Sequence, residues 1–564
     1  MPSSHVPAAS APRAASVSAP IEGLSIGEYL IRRLQDYGVR DVFGIPGDYV
    51  LGFYSMLCAS PINVVGCCRE DNAGFAADAY ARINGLGAVC VTYCVGGLSL
   101  ANSIAGAYAE KSPVVVITGS PGLAERSNNP LLHHKVRDFR TQLEVFEKLC
   151  VASTEIVDPV NAFREIDRVL DAAVRFKRPV YIEIPRDMVK LVPAAPHEFR
   201  RTQFVSDPQA LAEAADEAAH ILAASKKPII LAGVEIHRFG LQDELIALAE
   251  ATQIPIAATL LGKSVVRETH PLYVGLYEGA MSRADVTQFV EDSDCLLLLG
   301  TFLTDIDLGI FTANIDPNKW IYATSEQLRI RHHHYHDIVL ADFIRELSAR
   351  HPQVPRRAMP QKSASNGKAF ELRPNEPATI MRMIARLDRS LDDNTIVICD
   401  VGDALFAGTE LTTHGRTEFI GPAYYASMGF AVPAALGAAV ARPKVRIVAL
   451  VGDGAFQMTG NELSTIIRHG FHAIVIVFDN KGYGTERVLH PGEYNDINPW
   501  QYHKLPEVYG GGTGYEIRTE GEFDAALSQA WNTPGVHLIH AHLAEDDHSY
   551  ALARLAEKLS PKVH

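Results

Sequence analysis

Asp453, Asn480 and Gly482 are the residues of this 564-residue chain whose types and spacing point most directly to chemistry. Asp453 lies in Gly452-Asp453-Gly454, and Asn480-Lys481-Gly482 begins 27 positions later. A carboxylate, an amide oxygen and a backbone carbonyl are hard oxygen ligands, suited to Mg²⁺ that also holds phosphate oxygens. The amides of Gly454 and Ala455 fall at the expected start of a helix, a natural anion site. Those groups can meet only if two strand ends share one edge of a sheet. The apolar run 447–451 reads as a buried strand ending at Gly452-Asp453-Gly454. A helix-like segment over 456–469 follows, then a second apolar run, 473–478, that ends at Asp479-Asn480. In a parallel α/β unit both strands end at the ligand-binding edge. The segment therefore reads as a Mg²⁺-diphosphate site. By itself the tripeptide also fits an ordinary crossover in which Asp453 only caps a helix.

Strand-like and helix-like runs alternate along the whole chain, which gives an α/β class with mostly parallel, doubly wound sheets. The length suits about three domains. Composition places them at 22–195, 206–350 and 376–550, with a Pro-, Arg-, Lys- and Ser-rich linker at 351–375. The middle unit looks Rossmann-like but has no glycine fingerprint for a dinucleotide. No repeat between the first and third units is evident. Residues 1–21, rich in Ala, Ser and Pro, read as a disordered tail rather than a targeting peptide, and 551–564 as a C-terminal tail.

The net charge of −14 argues against nucleic acid or an anionic membrane as a partner. The eight cysteines lie mostly in apolar runs; Cys90 and Cys94 read as buried strand-end residues, not half of a zinc site. The expected compartment is reducing, hence cytoplasmic, and no run has the length of a membrane span. His332-His333-His334 with His336 reads as a solvated strand end.

The first unit carries a second constellation. Gly44-Ile45-Pro46-Gly47-Asp48 is a strand end and a tight turn that exposes Asp48. Glu70 opens a helix-like stretch, and His133-His134 lies in a long loop that starts at Gly119. Taken one at a time, these are a turn carboxylate, a solvated His pair and a surface acid. Their order is more specific. Gly47-Asp48-Tyr49, Glu70 ahead of Asn72-Ala73-Gly74-Phe75, Val91-Thr92-Tyr93, His133-His134, Gly452-Asp453-Gly454, and Gly482-Tyr483 leading to Glu486 span nearly the whole chain. In this order the sequence resembles the pyruvate decarboxylase and indolepyruvate decarboxylase family. Acetolactate synthases share the diphosphate motif and the first-domain Glu but usually lack the His pair and the later Glu.

The resemblance implies three domains, pyrimidine-binding, central and diphosphate-binding, with thiamine diphosphate and Mg²⁺ as cofactors. It assigns Glu70 to the aminopyrimidine ring, where a carboxyl with a raised pKa assists loss of the C2 proton. Thr92, the Ala426 carbonyl and Met428, which keeps the cofactor bent, join the cofactor contacts. Asp453, Gly454, Ala455, Asn480 and Gly482 take the diphosphate end, with Asp453, Asn480 and Gly482 as metal ligands. The family usually has Gly where this chain has Ala426. Asp48, His133, His134 and Glu486 resemble the proton-handling set, and His134 also orients substrate.

Around the substrate, Val401 stands where pyruvate-specific members tend to have Thr, and Leu405 where they tend to have Trp. Thr485 replaces an aliphatic residue before Glu486, and Leu489 completes the expected pocket. These departures imply a 2-oxo acid larger than pyruvate, such as indolepyruvate, phenylpyruvate or a long aliphatic acid. The alternatives are a carboligase, a pyruvate decarboxylase, or a non-catalytic cofactor-binding assembly protein. In the resembling family the Glu70 and Asp453 units meet across subunits, which implies a homodimer as the minimal active form and a homotetramer beyond it.

Overall fold

A computed structural model describes residues 23–194, 197–199, 204–360, 370–415 and 417–563. The expected tail at 1–21 and the middle of the expected linker, 361–369, lie outside the described residues. Apolar runs with no polar face, such as Val114–Ser120, Cys295–Leu299 and Ala473–Asp479, are buried at every position. Helices on both faces of a parallel sheet impose that pattern.

The first sheet is six-stranded and wholly parallel. In spatial order it runs Asn63–Gly66, Asp41–Gly44, Gly87–Val91, Val114–Ser120, Val180–Pro185, Ala152–Glu155. The third sheet, also six-stranded and parallel, runs Glu418–Ile420, Thr395–Cys399, Arg446–Gly452, Ala473–Asp479, Val536–His542, Thr513–Ile517. Counted within each domain, both orders are 2-1-3-4-6-5. The first and third domains thus share one topology, although no repeat is visible in their residues. In both, the chain reverses direction across the sheet between its first and third strands, and ligands bind at such a switch point.

The central sheet has seven strands. Its parallel part takes the Rossmann-like arrangement, and the short strands Leu328–Ile330 and His333–Tyr335 add antiparallel to one edge. His333 and His334 are exposed on that edge, with His333 Nδ1 3.0 Å from Glu217 Oε2.

Small residues bring the outer domains together. The helix Glu70–Asn84 of the first lies against Ala431–Ala441 of the third, and both bury Ala and Gly faces in one shared core. Gly437 has no alternative there, because a Cβ would stand 2.0 Å from the Ala76 carbonyl oxygen. Residues 551–563, within the stretch 551–564 expected as a tail, belong instead to a helix, Tyr550–Val563, and residue 564 lies outside the described residues. An apolar stripe at Ala551, Leu552 and Leu555 seats it on Met281, Ile310 and Phe406. Among the described residues no helix is long and apolar enough to cross a membrane. All eight cysteines are free, and Cys90 and Cys94 are buried.

Candidate functional site

The two strands that frame the Asp453 motif pair in parallel with Gly452 opposite Phe478, so Asp453 and Asn480 leave the same edge. Asp453 is the first residue of the helix Asp453–Thr459 and is 1% exposed. Its Oδ1 accepts from Gly454 N at 2.7 Å and its Oδ2 from Gly482 N at 2.9 Å, which ties the two halves of the motif directly. Gly482 is forced by its surroundings, since a Cβ would lie 2.0 Å from the Asn495 carbonyl oxygen. Burial pushes the Asp453 carboxyl up to about 7; the two N–H bonds oppose this and the adjacent Asp479 adds to it. A buried carboxylate and a buried asparagine at one sheet edge offer oxygen donors that a hard divalent cation would satisfy, and the cation would offset the cost of burying the charge. The residues present therefore fit Mg²⁺.

The segment that carries Ala426 and Met428 hangs over this edge. A Cβ placed on Gly454 would lie 3.7 Å from Met428 Cε. Two buried carboxylates hold the segment at its ends. Asp400, just after the strand Thr395–Cys399, accepts from Gly429 N at 2.9 Å and from Ala431 N at 2.7 Å. Burial pushes Asp400 up to about 7 against those bonds. Glu110 comes from the first domain, and its Oε1 accepts from Tyr424 N and Tyr425 N, each at 2.9 Å. Its Oε2 is 3.0 Å from Arg82 Nη2. Arg82 also forks onto Asp78 and donates to the Gly421 carbonyl at 3.1 Å. Burial raises Glu110, and Arg82 and the two N–H groups pull it down. Between the anchors Ala426 has φ +57°, the left-handed region that a Cβ disfavours. The usual glycine at that position thus has a conformational reason.

Val401 and Thr485 are half-buried at the same edge, and a Cβ on the intervening Gly402 would lie 3.2 Å from Thr485 Oγ1. Leu405 is 2% exposed and packs in the third domain's core, its Cδ1 2.7 Å from where a Cβ on Gly421 would be. Glu486 and half-buried Leu489 lie on the short helix Gly484–Leu489, where Glu486 is exposed. The C-terminal helix packs against this helix and against Asp403–Gly408, so it covers the elements that carry the expected pocket.

The equivalent edge of the first domain holds the other residues. Asp48, Thr92 and Glu70 follow the ends of three adjacent strands. A Cβ on Gly47 would be 2.4 Å from Thr92 Cβ, so only Gly lets the Asp48 turn approach. Asp48 Oδ2 is 2.7 Å from His133 Nε2, and Asp48 Oδ1 is 3.9 Å from His134 Nε2. Tyr49 stacks on His133 with ring centres 4.7 Å apart, and Arg186 lies 3.9 Å from Asp48. Thr92 Oγ1 is buried without a hydrogen-bond partner, an orphan suited to a bound cofactor. Glu70 is half-buried at the first position of its helix, and its side chain makes no hydrogen bond or ion pair among the described residues.

One chain brings each set together but not the two sets to each other. Among the described residues no hydrogen bond or ion pair links Asp48, Glu70, His133 or His134 to Asp453, Asn480 or Glu486. Behind Glu70 the chain contacts its own third domain elsewhere, through Asn72 Nδ2 to Glu462 Oε2 at 2.7 Å.

Residues 24–143, 215–349 and 400–541 match the family profiles described as thiamine pyrophosphate enzyme N-terminal TPP binding domain, central domain and C-terminal TPP binding domain. The chain is 36% identical to an indole-3-pyruvate decarboxylase of Azospirillum brasilense, over 95% of this chain and 98% of that protein. The chain belongs to the thiamine diphosphate-dependent 2-oxo acid decarboxylase family. It is also 35% identical to an alpha-keto-acid decarboxylase of Mycolicibacterium paratuberculosis, over 90% of this chain and 91% of that protein. Against pyruvate decarboxylase 3 of Arabidopsis thaliana it is 32% identical over 93% of this chain and 90% of that protein.

Within this thiamine diphosphate enzyme, Asp400 and Glu110 escaped the sequence reading. Asp400 had a usable signal, a carboxylate directly after a buried strand at the binding edge. Glu110 had none, because its partners Tyr424 and Tyr425 lie 314 and 315 positions away.

Proposed function

We propose that the protein converts a 2-oxo acid to an aldehyde and CO₂ with thiamine diphosphate and Mg²⁺. The observation that carries this is the pairing, in one chain, of the buried oxygen-ligand set at Asp453 with the Asp48–His133–His134 cluster at the matching edge of the first domain. When bound, thiamine diphosphate supplies a carbon nucleophile for the 2-oxo carbon and an electron sink for the bond to the departing CO₂. Asp453, Asn480 and the Gly482 carbonyl would hold Mg²⁺, and the start of the helix after Asp453, with the amides of Gly454 and Ala455, would take the diphosphate end. Met428 and the Ala426 carbonyl would meet the ring portion, with Thr92 and Glu70 at the pyrimidine. Asp48 and Glu486 move protons near the reacting carbon; His133 holds Asp48, and His134 orients the substrate.

A substrate larger than pyruvate is supported by the non-aromatic side chains of half-buried Val401, Thr485 and Leu489 at the expected pocket positions. The indole-3-pyruvate decarboxylase among the relatives supports it too. The active form we propose is a homodimer, with a homotetramer as a dimer of dimers, in which each Glu70 half faces the Asp453 half of another subunit. The exposure of Asp48, His133 and Glu486 supports that, since proton-handling groups need cover from water to act. The free thiols support a cytoplasmic setting.

The test is purified protein with thiamine diphosphate and Mg²⁺ against a panel of 2-oxo acids, following CO₂ and aldehyde. A higher kcat/KM for aromatic or long aliphatic acids than for pyruvate is expected, and the reverse order overturns the substrate reading. Hydroxyketone as the main product would point to a carboligase. Glu70→Gln should abolish turnover yet keep Mg²⁺-dependent cofactor binding; full turnover in that variant refutes the role given to Glu70.

A further inference from the structure

Beside the Asp453 motif, at the ends of two neighbouring strands of the third sheet, lies a cluster that the reaction does not use. His540 and His542 alternate along the strand Val536–His542, so both rings leave the same face, with centres 4.1 Å apart. The neighbouring strand brings Asp479 directly opposite His542. Asp479 Oδ2 is 2.7 Å from His540 Nε2 and 3.4 Å from His542 Nδ1. The three donor atoms lie within 4.8 Å of one another. Four-coordinate zinc with bonds of about 2.0–2.1 Å separates its ligand atoms by about 3.4 Å, so a small opening of the Asp479–His540 contact admits the ion.

The outer atoms of these groups are held as well. His542 turns Nε2 to Glu516 Oε1 at 2.9 Å, and Glu516 is fixed by Arg518 Nη2 at 2.7 Å. His540 turns Nδ1 to His503 Nδ1 at 3.1 Å. Asp479 Oδ1 accepts from Lys481 N at 3.2 Å. A metal-bound imidazole is characteristically oriented this way, through its second nitrogen and often by a carboxylate. A buried Asp479–His540 hydrogen bond alone would not explain the turn of His542 Nδ1 to the same oxygen. The side chains of Asp479 and His540 are 6% and 2% exposed, whereas His542 is 31% exposed and forms the mouth.

We infer that Asp479, His540 and His542 form a second metal site, for a zinc-class divalent ion, with its fourth position open to solvent at His542. Two imidazoles and one carboxylate select Zn²⁺ or Co²⁺ over Mg²⁺, which prefers oxygen ligands. The site shares no ligand with the Asp453, Asn480 and Gly482 set, although Asp479 adjoins Asp453, and it stands whatever acid the enzyme decarboxylates. Asp479 immediately precedes Asn480, so an ion there also stiffens the loop that presents the Mg²⁺ ligands.

Co²⁺ titrated into tag-free, full-length holoenzyme with thiamine diphosphate and excess Mg²⁺ tests this. One equivalent per chain should bind, with the visible absorption of four-coordinate Co²⁺, and Zn²⁺ but not Mg²⁺ should displace it. His542→Ala should remove the band, and Glu516→Gln should weaken binding by about 10- to 100-fold. Turnover retained in Mg²⁺ shows that both variants fold, and Glu516→Gln decides the matter if His542→Ala does not. No band, displacement by Mg²⁺, a band that survives His542→Ala, or one lost only when His332, His333 and His334 are replaced would each overturn the assignment.

Discussion

Replacing Glu110 by Gln tests whether a first-domain carboxylate sets the cofactor affinity of the third domain. Glu110 is fully buried, and its two oxygens divide the work, one accepting from Tyr424 N and Tyr425 N and the other facing Arg82. Gln keeps one neutral acceptor. If that oxygen stays on the loop, the amide NH₂ meets the Arg82 guanidinium, donor against donor. If the amide turns over, the two loop N–H groups lose their acceptor. A hydrogen bond to a charged group contributes about 1.5–3 kcal/mol, and an unsatisfied buried group costs about 1–3 kcal/mol. Arg82 keeps Asp78, which limits the loss at its end. The net cost to the loop is therefore about 2–4 kcal/mol, or a factor of about 30–700 in its ordered population. Titrating apoenzyme with thiamine diphosphate in excess Mg²⁺ and reading recovered turnover should show an apparent Kd raised at least tenfold. Most of kcat should return at saturation. An apparent Kd within twofold of the parent, with unchanged thermal unfolding, would refute the anchoring argument.

Two further outcomes follow from the same geometry. Ala426→Gly should stabilise the protein by about 0.5–1 kcal/mol, because removing a Cβ from φ +57° gains about 1–2 kcal/mol and the freer unfolded glycine returns part of it; Ala426→Val should do the opposite, both read by thermal unfolding. Glu183 is fully buried, and burial pushes it up to about 7, with Glu155 adding to the rise. Its folded value lies above the unfolded one, so it favours the folded state's proton: stability falls as pH climbs from about 4.5 to about 7 and the cost is complete above that. Glu183→Gln should flatten this part of the stability profile, and a variant that keeps the parent's slope between pH 5 and 7 would contradict it.

Three α/β units with parallel sheets, and the shared strand-end edge of Asp453 and Asn480, were legible because each rests on local information. Apolar runs fix buried strands, and a carboxylate after such a run must leave the strand's end. The duplicated 2-1-3-4-6-5 order was not legible, since strand order depends on which edges pair and different side chains satisfy the same pairing. The residues 551–564 misled for another reason: a short amphipathic stripe is ambiguous until Met281, Ile310 and Phe406 offer it a surface.

The sequence by itself determined the class of the protein, the placing of Asp453 and Asn480 at the ends of two successive strands, and the order of Asp48, Glu70, His133, His134 and Glu486 along the chain. Tertiary structure alone decided that Glu110 and Asp400 suspend the Met428 segment, that Leu405 is core, and that Asp479, His540 and His542 converge. It also decided that the Asp48 and Asp453 sets occupy separate edges of one chain. The physical reason is common to all four. Hydrogen bonds, ion pairs and packing contacts act over about 3–4.5 Å in space and carry no trace of sequence separation. A residue hundreds of positions away can therefore fix a loop that its own neighbours leave free.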